Sequence, residues 1–190
     1  MKKKLGLILV LVLVAIMIGT FIHDKIEENN AIDDNVKGYN EDITKNKSGI
    51  KKEQFAPEFT FTNLQGEEVS LSDYRGKKVV LNFWTTWCSP CKSEMPHMQK
   101  YYEKYGEAEN VEILGINLTF SSDSKDNVEK FVASYKLDFP VLLANDEAIA
   151  DDYQIVTIPS TFFIDEEGKV QRKIVGPVDV DSLKFYVEEL

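Results

Sequence analysis

Both cysteines of this 190-residue chain fall in one short stretch, Trp87-Cys88-Ser89-Pro90-Cys91. The run Val79-Val80-Leu81-Asn82-Phe83-Trp84 before them has the length and apolarity of a buried strand, and a helical pattern follows. The pair is therefore expected at a strand-to-helix turn. There Cys88 meets the unpaired N–H groups and dipole of a helix N-terminus, which stabilise a thiolate. The thiolate is the attacking species in disulfide exchange. Cys91, one turn further in, is placed to resolve the mixed disulfide. Taken alone, Cys-x-x-Cys means either redox chemistry or metal. Zinc needs four ligands, or three and a water, and only His97 is nearby in sequence; His23 lies far upstream.

The N-terminus sets the compartment. Lys2, Lys3 and Lys4 precede an apolar run from Leu5 to Ile22, followed by Asp24, Glu27, Glu28, Asp33 and Asp34. The run is near the lower limit for a membrane-spanning helix, and the lysines place its N-terminus in the cytoplasm. A cleavage site would want small residues at the −3 and −1 positions, but Gly19 is paired with Met17 and Thr20 with Ile18. An uncleaved signal-anchor over residues 1–22 is the expectation, with the rest of the chain outside the cytoplasm. A disulfide-stapled secreted domain would carry four cysteines or more. Two cysteines this close staple little.

The formal charge is −10, and three of the basic residues precede the apolar run. The remainder is more acidic still and carries no basic stripe, so nucleic acid is excluded as a partner. Residues 23–53 are rich in Asn, Asp, Glu and Lys without apolar period and read as a flexible tether. Residues 54–190 suffice for one domain. Phe59–Thr62 and Val69–Leu71 alternate around Asn63-Leu64-Gln65-Gly66 as a hairpin. Lys78–Trp84 and Val111–Asn117 read as buried strands. Helices are expected from Ser89 to about Tyr105, with a kink at Pro96, over Val128–Tyr135 and over Val180–Glu189. Val141–Leu143 is a short extended piece and Ile149–Tyr153 a helical turn or two. Thr161–Ile164 and Lys169–Val175 flank Asp165-Glu166-Glu167-Gly168 as a second hairpin. This order indicates an α/β domain, a mixed sheet with helices on both faces.

The sequence resembles the TlpA/ResA-type membrane-anchored thiol–disulfide oxidoreductases of the thioredoxin superfamily. Leu81 to Pro96 follows their active-site pattern, Leu71-Ser72-Asp73-Tyr74-Arg75-Gly76-Lys77 their opening hairpin, and Thr157-Ile158-Pro159-Ser160-Thr161 their late loop. The 71 positions from Cys88 to Pro159 fit their central insertion, here around residues 117–145. The likeness covers about Phe55 to Leu190. It implies a thioredoxin-like fold: a central mixed β-sheet flanked by helices, with an N-terminal β-hairpin and a central insertion, behind a single N-terminal transmembrane helix.

The resemblance also assigns roles. Cys88 is the nucleophile and Cys91 the resolving thiol, with no cofactor beyond their disulfide and no metal. Pro90 between them is the residue of reductants at that position. Thioredoxin's buried acid, six positions before the first Cys, is replaced by Asn82, which cannot titrate. Glu94, one turn past Cys91, matches the family's active-site Glu and is expected to be partly buried, moving protons and tuning the thiols. Pro159 is expected in cis, presenting the backbone of Ile158 to an extended substrate. Trp87 is expected to wall Cys88 on its apolar side, and Trp84 to belong to the core. His97 is expected at the surface, and Phe120, Ser121 and Ser122 are candidates to shape a substrate groove.

The implied activity is reduction of protein disulfides outside the cytoplasm. Apocytochrome c awaiting haem attachment is the implied substrate, and envelope or sporulation proteins are the alternative. A thiol reductant in the cytoplasmic membrane would recharge the pair, since no soluble electron donor is expected outside. A thiol peroxidase is a more distant reading, resting on Thr85 three residues before Cys88 as in peroxiredoxins. Another is a binding module with relic cysteines, against which the intact Cys-x-Pro-Cys and Glu94 argue.

Overall fold

Seven residues from Lys78 to Trp84 form a strand (β3) of which all but Lys78 are buried, as a near-continuous apolar run demands of a sheet covered on both faces. The computed structural model describes residues 48–190. The expected anchor and most of the tether lie outside the described residues. Among the described residues no helix is long and apolar enough to cross a membrane.

The other strands are β1 (Thr60–Asn63), β2 (Glu68–Ser70), β4 (Val111–Leu118), β5 (Val141–Ala144), β6 (Ser160–Ile164) and β7 (Val170–Val175). They form one mixed sheet in the order β2-β1-β5-β4-β3-β6-β7. β3, β4 and β5 run parallel, while β6 is antiparallel to β3 and β7 to β6. The opening hairpin reaches the sheet through β5, pairing Thr62 with Leu143 and Asn63 with Leu142. The central insertion therefore supplies the strand on which the hairpin docks.

Alternate residues of β3 and β4 feed two cores. Val80, Trp84 and Ile113 pack under α1 (Ser89–Tyr101), α2 (Lys125–Tyr135) and α4 (Val180–Glu188). Leu81, Phe83, Leu114 and Ile116 pack on the other face with Leu71, Phe162 and Tyr153, the last just after the short α3 (Ala148–Asp152). The Tyr153 hydroxyl donates to the Pro57 carbonyl at 2.6 Å. Gly115 on β4 admits a close approach: a Cβ there would meet Trp84 Nε1 at 3.2 Å and the Phe139 ring at 3.1 Å.

Helix ends follow local chemistry. Ser124 caps α2 by accepting from Asn127 N, so this helix starts at Lys125, ahead of the expected Val128. Asp179 caps α4 through Ser182 N. The regular helix α1 ends at Tyr101, not near Tyr105, and passes into a π-helical turn over Tyr102–Gly106. There the Tyr101 and Tyr102 hydroxyls donate to Glu109 and Glu112.

Backbone pairing begins before Gln54. Gly49 N donates to Phe55 O, Glu53 N to Val170 O, and Val170 N back to Gln54 O. Residues read as the end of the tether thus lie along the β7 edge, because the edge offers unpaired backbone groups that apolar patterning does not register.

Candidate active site

The parallel strands point their C-terminal ends at the β3–α1 turn. Cys88 is the N-cap of α1; its Sγ accepts from Cys91 N at 3.2 Å. Pro90 occupies the first helical turn, where a missing N–H costs nothing. Cys88 and Cys91 are joined in a disulfide. Cys91 is fully buried and Cys88 nearly so. The carbonyl of Ile158 lies 3.8 Å from Cys88 Sγ, and the Ile158–Pro159 peptide is cis. Two bonds hold this loop: Ser160 Oγ to Thr157 O at 2.8 Å, and Gly176 N to Pro159 O at 2.9 Å. Val156, in the same loop, is 95% exposed.

Behind the disulfide lies Glu94, fully buried where partial burial was expected. It shares a helix face with Cys91 three residues earlier. Its Oε1 accepts from Asn82 Nδ2 at 2.9 Å and its Oε2 from Val178 N at 3.2 Å. Burial raises its pKa from 4.5 to about 7, against the lowering effect of those two bonds. It is thus held where proton exchange at neutral pH is easiest. Asn82, on β3, also donates to Thr161 Oγ1 at 3.0 Å.

In front of the disulfide, Trp87 is 54% exposed and its Nε1 donates to Ser121 O at 3.1 Å. Next to it Thr86 donates twice to Asp123, from N to Oδ2 at 2.7 Å and from Oγ1 to Oδ1 at 2.8 Å. Asn117 Nδ2 and Ser124 N complete that carboxylate's shell, each at 3.0 Å. Partial burial would raise the Asp123 pKa, but these four bonds outweigh it and hold the group below the ordinary 3.8. The insertion loop is therefore tied to the active-site turn.

Of the expected residues, the structure brings Cys88, Cys91, Pro90, Trp87 and Ile158 together at this turn, with Pro159 beside and Glu94 behind. Trp84 is in the core, its ring 4.7 Å from that of Phe131. His97 is exposed and lines a separate cleft with Lys100, Tyr105 and Asp179. Ser121 accepts the Trp87 bond through its backbone carbonyl. The sequence did not show the pairing of Asn82 with Glu94 and Thr161, nor Asp123 and Val156. An Asn inside each of the apolar runs Val79–Trp84 and Val111–Leu118 was the available signal for the first two. A larger cleft of about 450 Å³, lined by Lys77, Tyr102, Glu112 and Asp138, opens at the N-terminal ends of the strands, away from the cysteines. Among the described residues no group of three His, Cys, Asp or Glu side chains could hold a metal ion.

The sequence and the fold are shared with known proteins. The family model described as AhpC/TSA family matches residues 53–173. A thiol-disulfide oxidoreductase ResA of Geobacillus thermodenitrificans is 39% identical over 144 residues, 76% of this chain and 80% of the relative. The chain belongs to the ResA-type thiol–disulfide oxidoreductases of the thioredoxin superfamily. Sporulation thiol-disulfide oxidoreductase A of Bacillus subtilis is 34% identical over 131 residues, 69% of this oxidoreductase and 78% of that one. The crystal structure of StoA from Bacillus subtilis superposes with a TM-score of 0.61 at 33% identity, covering 68% of this oxidoreductase and 96% of StoA. Membership makes disulfide-containing proteins its substrates.

Proposed function

We propose that this oxidoreductase is a reductant of protein disulfides, tethered by residues 1–22 to the outer face of the cytoplasmic membrane. Apocytochrome c is the substrate proposed first. The observation that carries the reading is the Cys88–Cys91 pair set between the Ile158 carbonyl and a buried Glu94 whose pKa is near 7.

In the reduced enzyme, the Cys88 thiolate attacks one sulfur of the substrate disulfide and expels the other as a thiolate, which takes a proton. An extended substrate segment pairs with the backbone at Ile158, beside Pro159. Trp87 and Pro90 flank the attacked sulfur. Glu94 then takes the proton of the Cys91 thiol. The Cys91 sulfur forms the Cys88–Cys91 bond as the Cys88–substrate bond breaks, and the second substrate thiolate leaves. Two electrons have passed to the substrate. A membrane thiol reductant returns them, and Glu94 gives its proton back.

Pro90 supports the reducing direction by resemblance. Trapping decides the substrate: in Cys91→Ser the mixed disulfide on Cys88 persists and carries the client with it. Deleting the gene should abolish covalent c-type haem, with rescue by added thiol. Normal cytochromes would overturn apocytochrome c as client, and a trapped coat or envelope protein would favour the sporulation reading that one relative's name suggests. The AhpC/TSA match keeps a peroxidase as the second reading. Against it, Thr85 Oγ1 is buried with no hydrogen-bond partner, Cys88 Sγ included.

A further inference from the structure

Asn82 interrupts the buried run of β3 and stands in register with Gly115 on β4 and Thr161 on β6. It is fully buried, and both N–H bonds of its carboxamide are used, one on Glu94 Oε1 and one on Thr161 Oγ1. Its Oδ1 is buried without any partner. An idle acceptor of this kind costs free energy, so its orientation needs a reason.

The reason lies in what Glu94 requires. Its two bonds come from donors, Asn82 Nδ2 and Val178 N. That shell suits a carboxylate, which only accepts. A protonated Glu94 carries an O–H that neither donor can receive. A half-turn of the Asn82 carboxamide exchanges Oδ1 and Nδ2 with almost no change of shape. Oδ1 then accepts from the Glu94 O–H and from the Thr161 hydroxyl, so two hydrogen bonds exist in either state, with Oδ1 idle in one and Nδ2 in the other.

We propose that Asn82 is a positioning residue whose carboxamide turns with the proton on Glu94, Nδ2 facing the carboxylate and Oδ1 facing the carboxylic acid. This rests on the reading of Glu94 as the proton acceptor for Cys91. The proton leaves the Cys91 thiol and bonds to a Glu94 oxygen; no electron moves in the turn itself. The amide lets a proton arrive in a site closed to water without stranding an O–H. Elements packed around Glu94 bring Asn82 from β3, Thr161 from β6 and the Val178 amide ahead of α4. On its own helix Cys91 titrates once reduced. Lys92, His97 and Asp179 are exposed, and none hydrogen-bonds the carboxylate.

The test uses the full chain, oxidised, isotope-labelled and held in detergent micelles. The Asn82 side-chain amide and the Glu94 carboxyl carbon are followed by NMR from about pH 5 to about pH 9. The two should move with a common midpoint, and Glu94→Gln should leave the Asn82 signals flat. Asn82 signals that stay flat while wild-type Glu94 titrates would overturn the proposal. A second arm separates a turning amide from a fixed donor. In the orientation seen here the Asn82 bond lowers the Glu94 pKa, but an amide that turns serves both protonation states, so Asn82→Ala should move the Glu94 midpoint by less than about half a pH unit. Loss of a fixed donor to the carboxylate would raise it by about one to two units, and a rise of that size would also overturn the turn. Should Asn82→Ala not fold, nuclear Overhauser contacts in the wild type take its place: the Nδ2 protons should lose their contact with Thr161 below the Glu94 midpoint, and contacts unchanged through it would overturn the turn. The oxidised protein has no free thiol, so these readouts stand apart from whether Glu94 serves Cys91, which Glu94→Gln exchange rates test.

Discussion

Two carboxylates flank the active-site turn, and they are held in opposite protonation regimes. Glu94 behind the disulfide and Asp123 in front each take hydrogen bonds from a backbone amide and from an asparagine on the neighbouring strand, Asn82 on β3 and Asn117 on β4. Asp123 receives four bonds at a partly exposed position and stays below the ordinary carboxylate value. Glu94 receives two bonds in full burial and is raised to about 7. The partners are alike in kind. What differs is the number of donors set against the depth of burial, and that difference leaves one group able to change charge near neutral pH and the other ionised there.

The sharpest way to break the contrast is to remove the carrier. Glu94→Gln should slow closure of the Cys88–Cys91 bond by about 10²-fold or more at neutral pH, the usual scale of general acid–base assistance. Rapid-mixing kinetics of substrate release check it, and an unchanged rate would remove Glu94 from the chemistry. The same group should mark stability. Its folded pKa lies above its ordinary 4.5, so its contribution is fully present below that value and is lost as pH rises through about 7. Oxidised wild type should lose about 3 kcal/mol between about pH 4.5 and pH 8 from this group. Denaturant titrations should show the slope, and Glu94→Gln should flatten it.

Asp123 should behave with the opposite sign. Its folded pKa is depressed, so its contribution is present above 3.8 and lost as pH falls below that value. Asp123→Ala should cost about 1–3 kcal/mol by leaving Thr86 N and Asn117 Nδ2 without their acceptor. Trp87 fluorescence should report the loosened turn, and an unchanged spectrum would separate the clamp from the tryptophan. The smallest effect is expected at a residue that bonds neither carboxylate. Val156→Ser should raise KM for an apolar peptide disulfide by less than about tenfold, with stability unchanged to about 0.5 kcal/mol.

How much of this was legible follows from the range of the contacts. The two hairpins, β3, β4 and the start of α1 were readable because apolar period and turn residues are local. The cysteine pair was readable because its motif is local too, while Pro159 and Glu94 were placed beside it by the resemblance. The clamp on Thr86 joins residues 37 apart, and the Val178 amide reaches Glu94 across 84. No periodicity carries such information. The asparagines inside the apolar strands were visible, but their partners were not. Pairing of Gly49 and Glu53 with the rest of the domain was hidden for a related reason. Backbone bonds at a sheet edge ask nothing particular of the side chains.

That edge pairing has a mechanical consequence. In the sheet register Val170 lies at the Val79 end of β3, while Cys88 follows the Trp84 end. The chain therefore joins the domain at the end of the sheet remote from the disulfide, through bonds of Glu53 and Gln54 to Val170. A pull transmitted along the N-terminal segment meets β7 first and leaves the β3–α1 turn unloaded. In the proposed tethered arrangement, reach and thiol reactivity are thereby separately adjustable.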